Sequence, residues 1–390
     1  MNHSIMKNST RIRLGLGALT VGAALVLSGC ASGGGTSASS SASDGGKLTP
    51  ITLQLQWLPQ AQFAGYYAAV AQGFYKKEGL DVTITPAGTT TVPIDVLAAG
   101  DADYAISWVP KVLGSIEQGT NVTDVAQIFE RSGTTQISFK DKDITSPADL
   151  KGKKVGSWGY GNQWELFAGM QKAGIDTTSQ ISLVQQAFDM NGFLAGDIDA
   201  AQAMTYNEYA QVLETVNPKT GQLYQPSDLN VINWNDEGTA MLQDAIWANA
   251  DKLASDKTYA ANTTKFIKAS IEGWIYTRDN PEKAAAIVTA AGSTLGTSHQ
   301  LWMTNEVNKL IWPSTGGIGV IQKKAWDQTV KIAKGTKDDT GSTIITQDPP
   351  STAYSNKYVD AALKELKAEK VDVMGASFAP LTVTLKEGGK

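Results

Sequence analysis

Two α/β lobes joined by a double crossing of the chain are the fold class that the sequence predicts, on three observations. The chain has 390 residues, more than one small core accommodates. Period-two apolar runs alternate with helical-period runs from Ile51 to Val216, and this pattern occurs twice over. The phrase Ala99-Gly100-Asp101-Ala102-Asp103 returns as Ala195-Gly196-Asp197-Ile198-Asp199. Each copy has a glycine able to end a helix in the left-handed region and an acidic turn into a strand. The repeat agrees with two lobes built to one plan.

The elements follow in order. Ile51, Leu53, Leu55 and Trp57 alternate with Thr52, Gln54 and Gln56, a strand that Pro59 stops. Phe63, Tyr66, Tyr67, Val70 and Phe74 recur at helical spacing. A turn at Gly79 leads into a second strand through Ile84, Ile94 to Ala99 reads as a short helix, and Tyr104 to Ile106 as a third strand. The theme then repeats, with strands at Lys154–Ser157, Ile181–Gln185 and Ala200–Ala203 and helices at Trp164–Ala173, Asn191–Ala195 and Glu208–Val216. Such alternation predicts mainly parallel sheets with right-handed crossovers. After Trp234 long helices take over: Ala260–Arg278, Pro281–Ala291, His299–Val307, Lys323–Lys334 and Asn356–Lys367. They are assigned to the first lobe, so lobe one is 48–131 with 236–390 and lobe two is 132–235. Asn233 to Asp236 would line the hinge. Trp274 and Tyr276 read as core, and the turn Trp312 to Gly317 as a loop or a cleft contact.

Apolar residues make up 42% and charged residues 18%, the balance of an ordinary globular protein. The net charge is −5 and there is no basic stripe, which argues against nucleic acid as a partner. The single cysteine, Cys30, excludes an internal disulfide. Two histidines, His3 and His299, are too few for a His-rich metal site, and His299 stands alone on its expected helix as a structural residue.

Residues 1–29 read as a signal peptide. Lys7, Arg11 and Arg13 precede an apolar run from Leu14 to Leu27, too short for a membrane span of ~20 residues. The run ends in Leu27-Ser28-Gly29-Cys30, the pattern of a bacterial lipobox, with Cys30 as the lipidated new N-terminus. Loss of the three basic residues takes the mature chain to −8. Residues 30–47, the lipidated cysteine and a Gly, Ser, Ala and Thr stretch, cannot bury apolar area and form a flexible tether, roughly 20–25 Å as a coil. The membrane contact expected is the lipid anchor alone, on the extracytoplasmic face.

Gln56-Trp57, the Gly65-Tyr66-Tyr67-Ala68-Ala69 helix, Gly73-Phe74-Tyr75-Lys76-Lys77-Glu78-Gly79-Leu80 and Ser146-Pro147-Ala148-Asp149-Leu150-Lys151-Gly152 carry a family likeness. From Leu53 to Glu208 the sequence resembles the solute-binding proteins of ABC importers, in the branch that binds thiamine pyrimidine precursors and sulfonates. Phe188-Asp189-Met190 and Met204-Thr205-Tyr206-Asn207-Glu208-Tyr209 are most similar to the pyrimidine subgroup. The resemblance implies a type II periplasmic-binding-protein-like fold with the ligand in the cleft, permease subunits as partners, a monomer and no cofactor. Relatives also carry riboflavin and other flat heteroaromatics. The Cys-rich iron segment of the yeast relatives that synthesise the pyrimidine is absent, so their chemistry does not transfer.

Ligands of open α/β sheets sit beyond the carboxyl ends of the strands, which selects a few loops. Trp57 closes the first strand, where an indole stacks on a flat ring or continues the Leu53–Leu55 core face; in the pyrimidine-binding relatives a Trp stands at the matching place. Gln62 and Tyr66 open the next helix, and Ser107 and Trp108 close the third strand. In lobe two the Gly-rich turn through Trp158, Tyr160 and Asn162 offers N–H groups to an acceptor, with Trp158 and Tyr160 completing an aromatic sandwich; the alternative is a plain strand-to-helix turn. Asp189 and Glu208 are candidate carboxylates for an aminopyrimidine edge, with Tyr206 beside them. As solvated acids they would do nothing; as an acid/base pair they would suit a secreted hydrolase. No Gly-x-Ser-x-Gly elbow supports an enzyme, and with no ATP-binding motif in the chain the energy for import is expected from another subunit. A surface adhesion or sensor module would need no tight pocket. A sulfonate such as taurine wants several donors and little aromatic area, against the aromatic load of these loops.

Overall fold

The computed structural model describes residues 47–390. The export segment, Cys30 and nearly all of the tether lie outside the described residues. The folded chain runs β1 (Thr49–Gln54), α1 (Ala64–Ala71), α2 (Phe74–Lys77), β2 (Leu80–Thr85), α3 (Pro93–Ala99), β3 (Tyr104–Trp108), α4 (Val109–Glu117) and β4 (Val122–Gln127). It continues with β5 (Thr134–Phe139), β6 (Lys154–Ser157), α5 (Trp164–Lys172), β7 (Ser182–Gln185), α6 (Asn191–Leu194), β8 (Ala200–Met204), α7 (Glu208–Leu213) and β9 (Leu229–Asn233). The last part is β10 (Asp244–Asn249), α8 (Ala250–Ser255), α9 (Lys257–Asp279), α10 (Pro281–Ala290), α11 (Thr297–Ile311), α12 (Lys323–Gly335) and α13 (Lys357–Ala368).

Among the described residues ten strands form two five-stranded sheets, β2-β1-β3-β10-β4 and β7-β6-β8-β5-β9. The chain leaves the first sheet between Gln127 and Thr134 and returns between Asn233 and Asp244. Each sheet has the same plan: three parallel strands, then one antiparallel strand arriving from a crossing, then an edge strand. The sheets are therefore mixed rather than mainly parallel. Strands β4, β5, β9 and β10 escape a period-two reading because most of them are buried on both faces, so apolar and polar residues do not alternate; β4 and β10 even bury Asp124, Gln127 and Asp244.

The repeated phrase stands at the same place in both sheets. Gly100 and Gly196 end α3 and α6 at φ +84° and +82°. Asp103 then accepts from Thr52 N–H on β1 at 2.8 Å, and Asp199 from Lys154 N–H on β6 at 3.0 Å. Each aspartate N–H returns a 2.9 Å bond to the carbonyl of that same partner. The phrase locks the third strand of each lobe against its first.

The late helices pack on the first sheet through α9, whose Phe266, Ile267, Ile271 and Trp274 are fully buried. Helices α1 and α9 cross with their backbones touching: a β-carbon on Gly273 would lie 2.0 Å from the Gly65 carbonyl oxygen. Trp312, at the start of the Gly-rich turn, is buried under the Arg278 guanidinium rather than in the cleft. Helix α11 also reaches the second lobe. His299, expected to stand alone, has Nδ1 2.9 Å from Glu214 Oε1 and Nε2 3.0 Å from Asn207 Oδ1. At the crossings Asn235 accepts from Ser132 N–H and donates to Ser132 C=O, tying the two connections together.

Candidate ligand site between the lobes

The strand ends of the two sheets face one another and carry aromatic rings. Trp57 follows β1 and is partly buried; its ring centroid lies 4.7 Å from that of Phe188, inclined by 50°. Phe188 follows β7, and its ring runs nearly parallel to that of Trp158 at 6.4 Å and 17°. Trp158 follows β6 and is buried. Its N–H donates to Gln202 Oε1 and its carbonyl accepts from Gln185 Nε2, so neighbouring strands of its own sheet hold the backbone. Three rings, one from the first lobe and two from the second, thus span the junction. Tyr160 does not join them. Its backbone is left-handed at φ +51° between Gly159 and Gly161, also left-handed, and its side chain is 81% exposed. Phe188, read in the sequence as part of a strand-end segment with Asp189 but not as a ring of the sandwich, takes the position expected of Tyr160.

Beside the rings lies a buried polar cluster organised by Asp244, the first residue of β10. Its Oδ1 accepts from Gln56 Nε2 at 2.7 Å and from Trp108 Nε1 at 2.8 Å, and its Oδ2 from Gln62 Nε2 at 2.9 Å. Asp244 pairs with Trp108 across the sheet, which puts it at the carboxyl end of β3. Gln62 and Trp108 therefore converge, through an acid that sequence reading missed. The signal, an acidic residue opening Ala-Ile-Trp-Ala, is legible only once a strand is assigned there. Tyr66 and Tyr206 flank the cluster; burial first, and then the Asp244 charge, push both phenols well above their ordinary range. The Tyr66 hydroxyl is buried without a partner, and the Tyr206 ring meets Phe129 edge-on at 6.3 Å. Lys111, in the first turn of α4, holds its ammonium 5.0 Å from the Trp108 ring centroid.

The other expected residues have local partners. Glu208 is buried, with Oε2 accepting from Met204 N–H and Oε1 from Asn207 Nδ2, both at 3.0 Å, and so closes the turn from β8 into α7. Asp189 accepts from Asn191 N–H in the turn that leads into α6. Asn162 holds the glycine turn through the Gly159 carbonyl. Ser107 lies on the face of β3 opposite Trp108, and its carbonyl accepts from Trp247 Nε1.

Burial pushes three carboxyls at this junction, Asp244, Glu165 and Glu208, up to about 7, with hydrogen bonds opposing the shift. A raised carboxyl holds its proton more tightly in the folded state. Between about pH 4, where the unfolded groups titrate, and about pH 7 the native state therefore binds more protons, and stability falls as pH rises. The melting temperature is expected to be higher at about pH 5.5 than at about pH 8, and Asp244→Asn to reduce the difference. A melting temperature that climbs across this interval would contradict the assignment.

The family model described as NMT1/THI5 like matches residues 60–284. The chain belongs to the NMT1/THI5-like family. It is 26% identical over 253 residues to the formylaminopyrimidine-binding protein of Halalkalibacterium halodurans, covering 63% of this chain and 72% of that one. It is 24% identical over 267 residues to a putative thiamine biosynthesis protein of Haemophilus influenzae, covering 68% and 78%. Among solved structures it resembles the periplasmic aliphatic sulphonate binding protein SsuA of Escherichia coli, with a TM-score of 0.55 at 14% identity over 87% of this chain and 94% of that one. That likeness is one of fold: two α/β lobes of the periplasmic-binding-protein type.

Proposed function

We propose that this protein is the extracytoplasmic solute-binding lipoprotein of an ABC importer, held at the membrane through Cys30. Its cargo on this reading is a flat heteroaromatic, a thiamine pyrimidine precursor of the formylamino- or hydroxymethyl-pyrimidine type. The observation that carries the reading is the run Trp57–Phe188–Trp158, which brings rings from both lobes to the carboxyl ends of their strands. The relative named as a formylaminopyrimidine-binding protein supports the choice of ring.

In the mechanism proposed, lobe one (48–131 and 236–390) and lobe two (132–235) open and close about the two crossings. Phe188 fills the space beside Trp57, and an incoming ring takes over that contact. Stacking contributes about 0.5–1.5 kcal/mol beyond area burial. Donors on the ring are met by carboxylate or amide groups of the Asp244 and Glu208 environments, each such bond contributing about 1.5–3 kcal/mol where a charge is involved. Ligand shifts the lobes toward the closed form only by its differential affinity for the two states. The closed form docks on permease subunits. The protein binds and releases its cargo unchanged.

Native mass spectrometry of the purified protein, then tryptophan-fluorescence and melting titrations with hydroxymethyl- and formylamino-pyrimidine, riboflavin and taurine, test the reading. The pyrimidines are expected to change emission and raise the melting temperature. If they do neither while riboflavin or taurine does, the pyrimidine assignment is wrong. Turnover of a bound compound would overturn the binder class itself.

A further inference from the structure

Lys111 is the third residue of α4, a helix whose N-cap, Trp108, offers no side-chain acceptor and whose first turn holds no acid. A cation at that end opposes the helix dipole, so helix stability does not explain it. Its stem lies between the lobes: a β-carbon on Gly161 of the second lobe would stand 3.3 Å from Lys111 Cγ, and the ammonium rests 5.0 Å from the Trp108 ring centroid. Burial pushes this ammonium down to about 8, and Asp244 opposes that shift only through its field. Among the described residues no carboxylate pairs with it and no acceptor receives its protons. The oxygens of Asp244 are taken by Gln56, Gln62 and Trp108. Glu165, the other acid of this region, accepts from Ser132 Oγ and Met241 N–H. Lys111 is half-buried at the junction of the lobes, and its ammonium stands beside the ring site with no partner from the described residues.

We propose that Lys111 receives an oxyanion carried by the cargo, so that the preferred ligand is a flat ring bearing a phosphate or carboxylate group rather than a neutral ring. The proposal rests on the heteroaromatic reading above. Trp108 would support the lysine stem from one side and the glycine turn from the other, so the ammonium is enclosed only when the lobes meet. An anion there adds its contact to the closed form and not to the open one, which is the condition for driving closure.

The test compares matched pairs: 4-amino-5-hydroxymethyl-2-methylpyrimidine with its phosphate ester, and riboflavin with its phosphate ester, with inorganic phosphate as a further probe. Calorimetric affinities are measured for the wild type, Lys111→Met and Lys111→Arg. Wild-type protein is expected to bind the ester at least about tenfold more tightly than the neutral ring, the scale of one charge-assisted hydrogen bond. The ratio should fall toward one in Lys111→Met and survive in Lys111→Arg, and in the wild type it should shrink above about pH 8 as the amine loses its charge. A purely structural lysine would shift both members of a pair together. Equal affinities in the wild type, or a preference that persists in Lys111→Met, would overturn the inference while leaving the ring reading intact. Binding of inorganic phosphate with no response to either ring would overturn both.

Discussion

Trp57→Ala is expected to weaken binding of the ring ligand at least about tenfold, because the variant loses both the stacking face and the apolar area of the indole. Trp57 is the first-lobe member of the ring run, and its neighbour Phe188 belongs to the other lobe. Removal should therefore act on the energy that holds the lobes together around cargo, while the first sheet, whose core lies beneath Leu53 and Ile106, stays folded. Trp57→Phe keeps a flat face and should recover part of the loss. Isothermal calorimetry gives the affinity without relying on the indole that has been removed. An unchanged dissociation constant would take Trp57 out of the site and leave the aromatic run as packing.

Gly273→Ala is expected to destabilise the fold by about 3 kcal/mol or more, the upper range for forcing a group into a filled core. The added methyl would meet the Gly65 carbonyl oxygen at 2.0 Å and the Ala69 backbone nitrogen at 2.9 Å. These are backbone atoms, and no rotamer change relieves the overlap. The two helices must move apart, and Trp274, which lies against Gly65 and is fully buried, loses its seat. Gly335→Ala is the control: a β-carbon there meets nothing within 4 Å, and an alanine at this helix end is expected to be neutral or slightly stabilising. Denaturant unfolding of both variants checks the pair. A Gly273→Ala protein as stable as the wild type would mean that α1 and α9 do not touch as described.

Where a residue's role follows from its immediate neighbours in the chain, it was legible in advance. The Ala-Gly-Asp-x-Asp phrase announced a left-handed glycine and an acidic turn, and both copies adopt that geometry at equivalent positions. Trp57, Trp108 and Trp158 were expected near the carboxyl ends of their strands because turn residues end each strand there, and the structure places them at or just beyond the ends of β1, β3 and β6. Legibility stopped where partners come from far along the chain. Asp244 meets Gln56 and Gln62 across more than 180 positions, and His299 meets Glu214 across 85. No local periodicity encodes those distances.

The sequence by itself determined the alternation of strands and helices, the doubling of the plan and the aromatic character of the strand ends, because each rests on short-range patterning of apolar and turn residues. Only the tertiary structure decided that β5 and β10 run antiparallel through the middle of their sheets, that Phe188 rather than Tyr160 faces Trp57, and that a buried acid and an unpaired lysine stand beside the rings. The reason is physical. Burial on both faces erases the pattern that betrays a strand, and a side chain's partner across the lobes is chosen by the packing of two sheets rather than by its own neighbours.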